Sequence, residues 1–140
     1  MNFGAAIASG FRNCFKFTGR ASRSEFWWFY LFFVLAVMAC GIVTTVVGGI
    51  LGNAAHDSNA VANIIVGLLA LFFLVLFVPV FSLMCRRLHD SEKSAWLVLL
   101  YLVPFGGIVL LVFYCLPGTN GPNSHGADPL GSPVSAASVF

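Results

Sequence analysis

Two long stretches of this sequence, Phe26 to Leu51 and Val61 to Met84, contain no charged residue, and a third, Ala95 to Leu116, repeats the pattern. At about 1.5 Å per residue, a helix over either of the first two is longer than the roughly 30 Å hydrocarbon core of a bilayer. Each is therefore expected to span a membrane with some tilt. The first opens on Trp27, Trp28 and Tyr30, aromatic residues that favour the membrane–water interface. Just ahead of it, Ser22 and Glu25 have the spacing of a capping box, in which the two side chains satisfy free amides at a helix start. The second carries Pro79 near its end, where a kink is expected.

The third run is interrupted by Pro104, Phe105, Gly106 and Gly107, so two geometries compete. Its length of roughly 33 Å as a helix suffices for one crossing, and a kinked full crossing is the reading adopted from sequence. The alternative is a re-entrant hairpin of two half-helices, whose tip would need shielding because irregular backbone does not face lipid.

Ahead of the spans, Phe3, Ile7, Phe11 and Phe15 recur at steps of four, with Arg12, Asn13 and Lys16 on another face. That period predicts an amphipathic helix within residues 1–18, lying in the headgroup plane or packed on the rest of the protein. A cleavable signal peptide is not expected, because the apolar run that follows is too long. The expected organisation is all-α: an interfacial helix over 1–18, a membrane domain over 19–116 with three spans, and a Pro/Gly-rich tail over 117–140. The last residues of that tail are expected to be disordered.

Composition agrees with a bilayer as solvent: 59% of the residues are hydrophobic and 9% charged, against roughly 25% charged in soluble domains. The net charge of +2 and the absence of any basic run argue against a nucleic-acid partner. The cysteines Cys14, Cys40, Cys85 and Cys115 form no CxxC pair, so no disulfide framework is expected. Cys85 and His89 share a helix face, but two ligands fall short of a zinc site. No metal or other cofactor is expected.

The few ionic residues do have a pattern. Arg12, Lys16, Arg20 and Arg23 precede the first span, residues 52–60 carry no Lys or Arg, and Arg86, Arg87 and Lys93 follow the second. Because basic residues are retained in the cytoplasm, the N-terminus and the segment 85–94, read as a loop, are placed there. His56 and Asp57 in the intervening turn read as solvated.

Three polar motifs emerge: Gly19-Arg20 with Arg23, Glu25 and Trp27; Arg86-Arg87-Leu88-His89-Asp90 with Trp96; and Pro117-Gly118-Thr119 with Asn123, Gly126, Asp128 and Pro129. In this order and spacing, over about residues 10–130, they resemble the bacterial inner-membrane family known as domain of unknown function 805. The resemblance implies a small multi-pass inner-membrane protein and brings no established activity. One departure is His125, at a position where the family is usually aromatic, which leaves a stacking role there open.

The charged motifs admit two physical readings. Either the basic residues anchor to headgroups with Glu25, Asp90 and Glu92 as local partners, or Arg20, Arg23, Arg86, Arg87, His89 and Asp90 meet in one interfacial site. In the second reading arginine forks bind a phosphate or carboxylate, with Asp90 orienting His89. An anionic lipid headgroup is the natural ligand. No nucleophile motif accompanies His89 and Asp90, so an enzyme is not expected. The functional expectation is a non-enzymatic membrane interaction or lipid-associated component. The alternative is a small oligomeric pore, assembled through small residues such as Gly41, Gly48, Gly49 and Gly52.

Overall fold

The computed structural model describes residues 2–54 and 58–131. His56, Asp57 and the expected disordered end of the tail lie outside them. Among the described residues there are helices, turns and one isolated bridge between Asn123 and Gly126, and no strand.

Helix α1 spans Phe3–Arg12, opened by the Asn2 side chain accepting the Ala5 amide at 2.8 Å. It stops at Arg12, earlier than the four-step pattern suggests, and Phe15 is left exposed. Its apolar face lies on the next helix: the Phe11 ring meets Phe29 at 5.6 Å and Phe3 meets Trp28 at 5.8 Å. The chain after it is tied down by Ser82, whose hydroxyl reaches the carbonyls of Asn13 and Lys16.

Helix α2 spans Arg23–Ala54 and α3 spans Ser58–Asp90. The Ser22 hydroxyl accepts the Glu25 amide at 3.2 Å, which is one half of the capping box. The other half is replaced, because the Glu25 carboxylate faces other partners. Helix α3 continues through Pro79 and past the apolar run, so Cys85–Asp90 are its last turns and not loop. Its 33 residues make a rod of about 50 Å, about 20 Å longer than a bilayer core. Two residues past its end the chain turns away at Glu92, which takes a left-handed conformation (φ 54°) while the Lys93 amide returns to the Leu88 carbonyl.

The third apolar run departs from the sequence reading. It is a 3-10 helix, Ala95–Leu102, whose first turn is capped by Ser94, then a tight reversal, then α4, Gly106–Cys115. The limbs pack on each other so closely that a Cβ on Gly106 would lie 1.7 Å from the Leu100 carbonyl oxygen. Both ends of this hairpin meet the C-terminal end of α3: the Thr119 amide donates to the Asp90 carbonyl at 2.8 Å. The expected full crossing is thus replaced by a hairpin. Limbs of eight and ten residues reach about 16 and 15 Å, roughly half a bilayer core. Several amides of the tip are used locally, Val103 to Leu100, Gly106 to Val103, and Ile108 to Phe105. Pro104 has no amide to satisfy.

Burial is concentrated at one end. Phe26 and Phe29 of α2, Val80, Leu83 and Leu88 of α3, and Val98, Leu110 and Tyr114 of the hairpin form the core. From Tyr30 to Val75 no described residue is buried. Of the glycines expected to pack helices, Gly48 touches Ile65, whereas Gly41, Gly49 and Gly52 face open space.

Candidate functional site

The three polar motifs converge where α2 begins and α3 ends. Residues 85–90 are all buried, and burying charge is tolerable only when the charges are paired and hydrogen-bonded. Asp90, 4% exposed, is the hub. Its Oδ1 accepts Arg20 Nε at 2.8 Å, and its Oδ2 accepts Arg87 Nη1.

Each arginine fork is then filled by backbone carbonyls. Arg20 donates to the carbonyls of Thr119 and Gly121. Arg87, fully buried, donates through Nε to the Tyr114 carbonyl at 3.1 Å and through its other nitrogens to Ala21 and Leu116. Arg86 reaches the Arg20 carbonyl and Glu25 Oε1, both at 3.3 Å, and Ser9 of α1 donates to the same carboxylate oxygen at 2.7 Å. Planar guanidinium groups suit this duty, since their five fixed donors meet several carbonyls at once. The result is a clasp joining α1, the start of α2, the end of α3, the hairpin and the segment after it.

The third motif closes the clasp. Gly118 passes so near Asp90 that a Cβ there would lie 2.0 Å from Oδ2. The Asn123 side chain donates to the His89 carbonyl at 3.1 Å and to Thr119 Oγ1 at 2.8 Å. Asp128 Oδ2 accepts the Gly121 amide at 3.1 Å. Asn123 and Gly126 exchange backbone bonds in a tight turn that presents His125. Pro117 and Pro129 are exposed and flank this return path.

One sequence expectation changes here, and one open question is answered. Asp90 does not orient His89: the His89 Nδ1 faces the Gly19 carbonyl at 3.1 Å, so that nitrogen carries the hydrogen. And His125 does stack, its ring lying on His89 at 4.1 Å with the planes 6° apart. An imidazole supplies the flat face that an aromatic residue would. Burial first, then the neighbouring His125, pushes the His89 imidazole below its usual value, while the Gly19 carbonyl opposes this.

Arg23 stands apart. It is exposed, at the mouth of an open cleft of about 310 Å³ that it lines with Ser24, Asp90, Pro117, Gly118, Asn120 and Leu130. Trp96 is also exposed, at the first turn of the 3-10 helix, and Trp27 packs edge-on against Phe26 at 5.3 Å. Neither joins the clasp. Lys93 lies over the Phe113 ring at 5.8 Å. Among the described residues no group of three or more His, Cys, Asp or Glu stands together as a metal site would require.

Sequence reasoning missed the contributions of Ser9, Ser82 and the carbonyls of Ala21, Tyr114, Leu116 and Gly121. Carbonyl acceptors carry no residue-type signal. Ser9 carried a weak one, as a polar residue on an otherwise apolar helix.

The profile of the family described as "Protein of unknown function (DUF805)" matches residues 14–127. The chain is 39% identical over 124 residues to the inner membrane protein YhaI of Escherichia coli K12, covering 84% of this chain and 89% of that one. It is 35% identical over 119 residues to the inner membrane protein YhaH of the same strain, covering 84% and 90%. No solved structure matches it. These likenesses agree with two helices long and apolar enough to cross a membrane, Arg23–Ala54 and Asn59–Asp90.

Proposed function

The chain belongs to the family of unknown function DUF805, and on that premise we propose that it is a non-enzymatic component of the bacterial inner membrane that associates with anionic lipid headgroups. The N-terminus and the clasp face the cytoplasm. Two helices cross, and the hairpin enters the bilayer from the cytoplasmic side and returns. The observation that carries this reading is the closed clasp: Arg20, Arg86 and Arg87 spend their donors on Asp90, Glu25 and backbone carbonyls. They hold the frame, with His89 and Asp90, and leave exposed Arg23 to meet a phosphate at the cleft mouth. Arg12 and Lys16, also exposed, extend the basic rim toward the headgroups, where each such residue contributes about 1 kcal/mol.

Two measurements test this. Native mass spectrometry of the full chain should detect retained phosphatidylglycerol in preference to phosphatidylcholine, with the preference reduced in Arg23→Ala. Equal retention of both lipids by the wild type would remove the lipid reading. A reporter fused after Phe140 should be active only in the cytoplasm, and an external result would remove the proposed topology.

The small oligomeric pore is the second reading, favoured by Gly41, Gly49 and Gly52 facing open space. Against it, Thr44 and Thr45 on the same helix turn their hydroxyls back to the carbonyls of Cys40 and Gly41, which leaves little to line a wet path. Protein-dependent leak from reconstituted vesicles would favour the pore.

A further inference from the structure

Past Gly121 the chain makes a turn whose inward side chains meet one residue of α3. Pro122, Ser124 and Gly126 are exposed, whereas Asn123 and His125 are half-buried. Asn123 Nδ2 donates to the His89 carbonyl at 3.1 Å, and its Oδ1 accepts the His125 amide at 2.9 Å. One side chain thus sets the His125 backbone against α3, and the two imidazoles lie face to face at 4.1 Å, 6° from parallel.

That geometry suits two neutral rings, or one neutral and one charged, since a cation is attracted to a π face. It opposes two imidazolium rings, because like charges this close resist each other's ionisation. Histidine makes such a change near neutral pH, its ordinary pKa being about 6.5. Most charged groups on the elements that meet here are committed to other partners. Arg20, on the segment before α2, and Arg86 and Asp90, on α3, are bound into the clasp. Lys93 lies over Phe113, Glu92 is exposed beyond the helix end, and Asp128 accepts the amides of Gly121 and Leu130. The two rings also differ in freedom. His89 is 8% exposed and its Nδ1 is held by the Gly19 carbonyl at 3.1 Å, so an added proton goes to Nε2 and the ring stays in place. His125 rides on an exposed turn and is the ring free to move.

We propose that the stacked His89–His125 pair is an acid-released latch for the segment 122–131: it holds the turn on α3 while at most one ring is charged, and lets it go when both are. The open segment takes up a proton that the closed one resists, so acid favours opening. Chain order limits the reach of the switch. Thr119 and Gly121, upstream of the turn, are bound to Asp90 and Arg20, so the clasp stays shut while the turn beyond it leaves. Leu130, past the turn, lines the Arg23 cleft, and its departure removes one wall of that cleft. The latch does not depend on what the cleft binds.

The test is hydrogen exchange of the full-length protein in nanodiscs from about pH 8 to about pH 5, across the histidine range, corrected for the intrinsic pH dependence of exchange. The reporters are the amides of Gly121, Asn123, His125 and Gly126, each hydrogen-bonded within the segment. Their protection should fall as pH drops below the ordinary histidine value, by up to about tenfold per pH unit for one extra proton, while the Thr119 amide stays protected. His125→Phe keeps a ring on His89 without a second charge and should flatten the fall. His125→Ala removes the stack and should leave the reporters weakly protected even at the alkaline end. Asp128→Asn removes the other titratable group of the segment and should leave the fall in place. Wild-type protection independent of pH, a fall equally steep in His125→Phe, full protection in His125→Ala, or a fall abolished by Asp128→Asn would each overturn the latch.

Discussion

The two ends of the helical pair solve the problem of exposed surface in opposite ways. Around residues 85–90 every side chain is buried and every charged group there has a named partner. From Tyr30 to Val75 nothing described is buried, and residues such as Leu35, Met38, Ile42, Ile64 and Leu71 lie open. In water the second region would be an aggregation hazard. In lipid its surface is already in its preferred solvent, and helix contact there gains little from apolar burial. Specificity is therefore concentrated where the chain leaves the hydrocarbon, and the distal half is constrained by composition more than by shape.

The largest test of that contrast is Asp90→Ala. It leaves Arg20 and Arg87 buried without their shared carboxylate and should cost about 3–5 kcal/mol, read as a lowered melting temperature of the purified protein and reduced accumulation in membranes. Next is Gly10→Ala, where the added methyl would lie 2.2 Å from the Phe29 ring. Such overpacking costs about 1–3 kcal/mol and should free α1 for limited proteolysis. Smaller again is the effect of pH on His89. Its imidazole titrates below the usual histidine value in the folded protein, so the unfolded chain binds more protons. Stability is then full above the ordinary histidine pKa and falls as pH drops from there through the folded value. Melting temperature against pH should show this decline, and His125→Phe should flatten it while keeping the stack. Smallest is Gly41→Leu, which meets open space and should shift stability by less than about 0.5 kcal/mol. A loss there as large as at Gly10 would break the contrast between the two ends. Unchanged stability with altered crosslinking between copies would sharpen it.

The first two spans were legible because an uncharged run of that length has one common physical explanation, and Ser22 marked a helix start by its capping chemistry. The gathering of Arg20, Arg86, Arg87 and Asp90 was legible as a cluster of rare charges. Its inward direction was not, because the carbonyls that fill the arginine forks look the same in any sequence. The third run misled because its total length fits one crossing. What decides its path is the left-handed Phe105 (φ 63°) and the contact of Gly106 with the Leu100 carbonyl, local geometry that hydropathy does not encode. Once the run folds back, Pro117 to Asp128 is carried to the clasp, and membership of the site follows from that one reversal. The stacking role of His125, left open by its residue type, is filled because an imidazole offers the same flat face as a benzenoid ring.

The Arg20 side chain donates to a carbonyl 101 positions further along the chain, and this separation sets an order on biosynthesis. When residues 1–90 have been made, the carbonyls of Tyr114, Leu116, Thr119 and Gly121 that complete the forks of Arg20 and Arg87 have yet to be translated. The clasp thus cannot close until residue 121 has been made. A chain cut short after residue 116 would keep every apolar run and lose the Gly118 to Gly121 closure that gives the buried arginines their last acceptors.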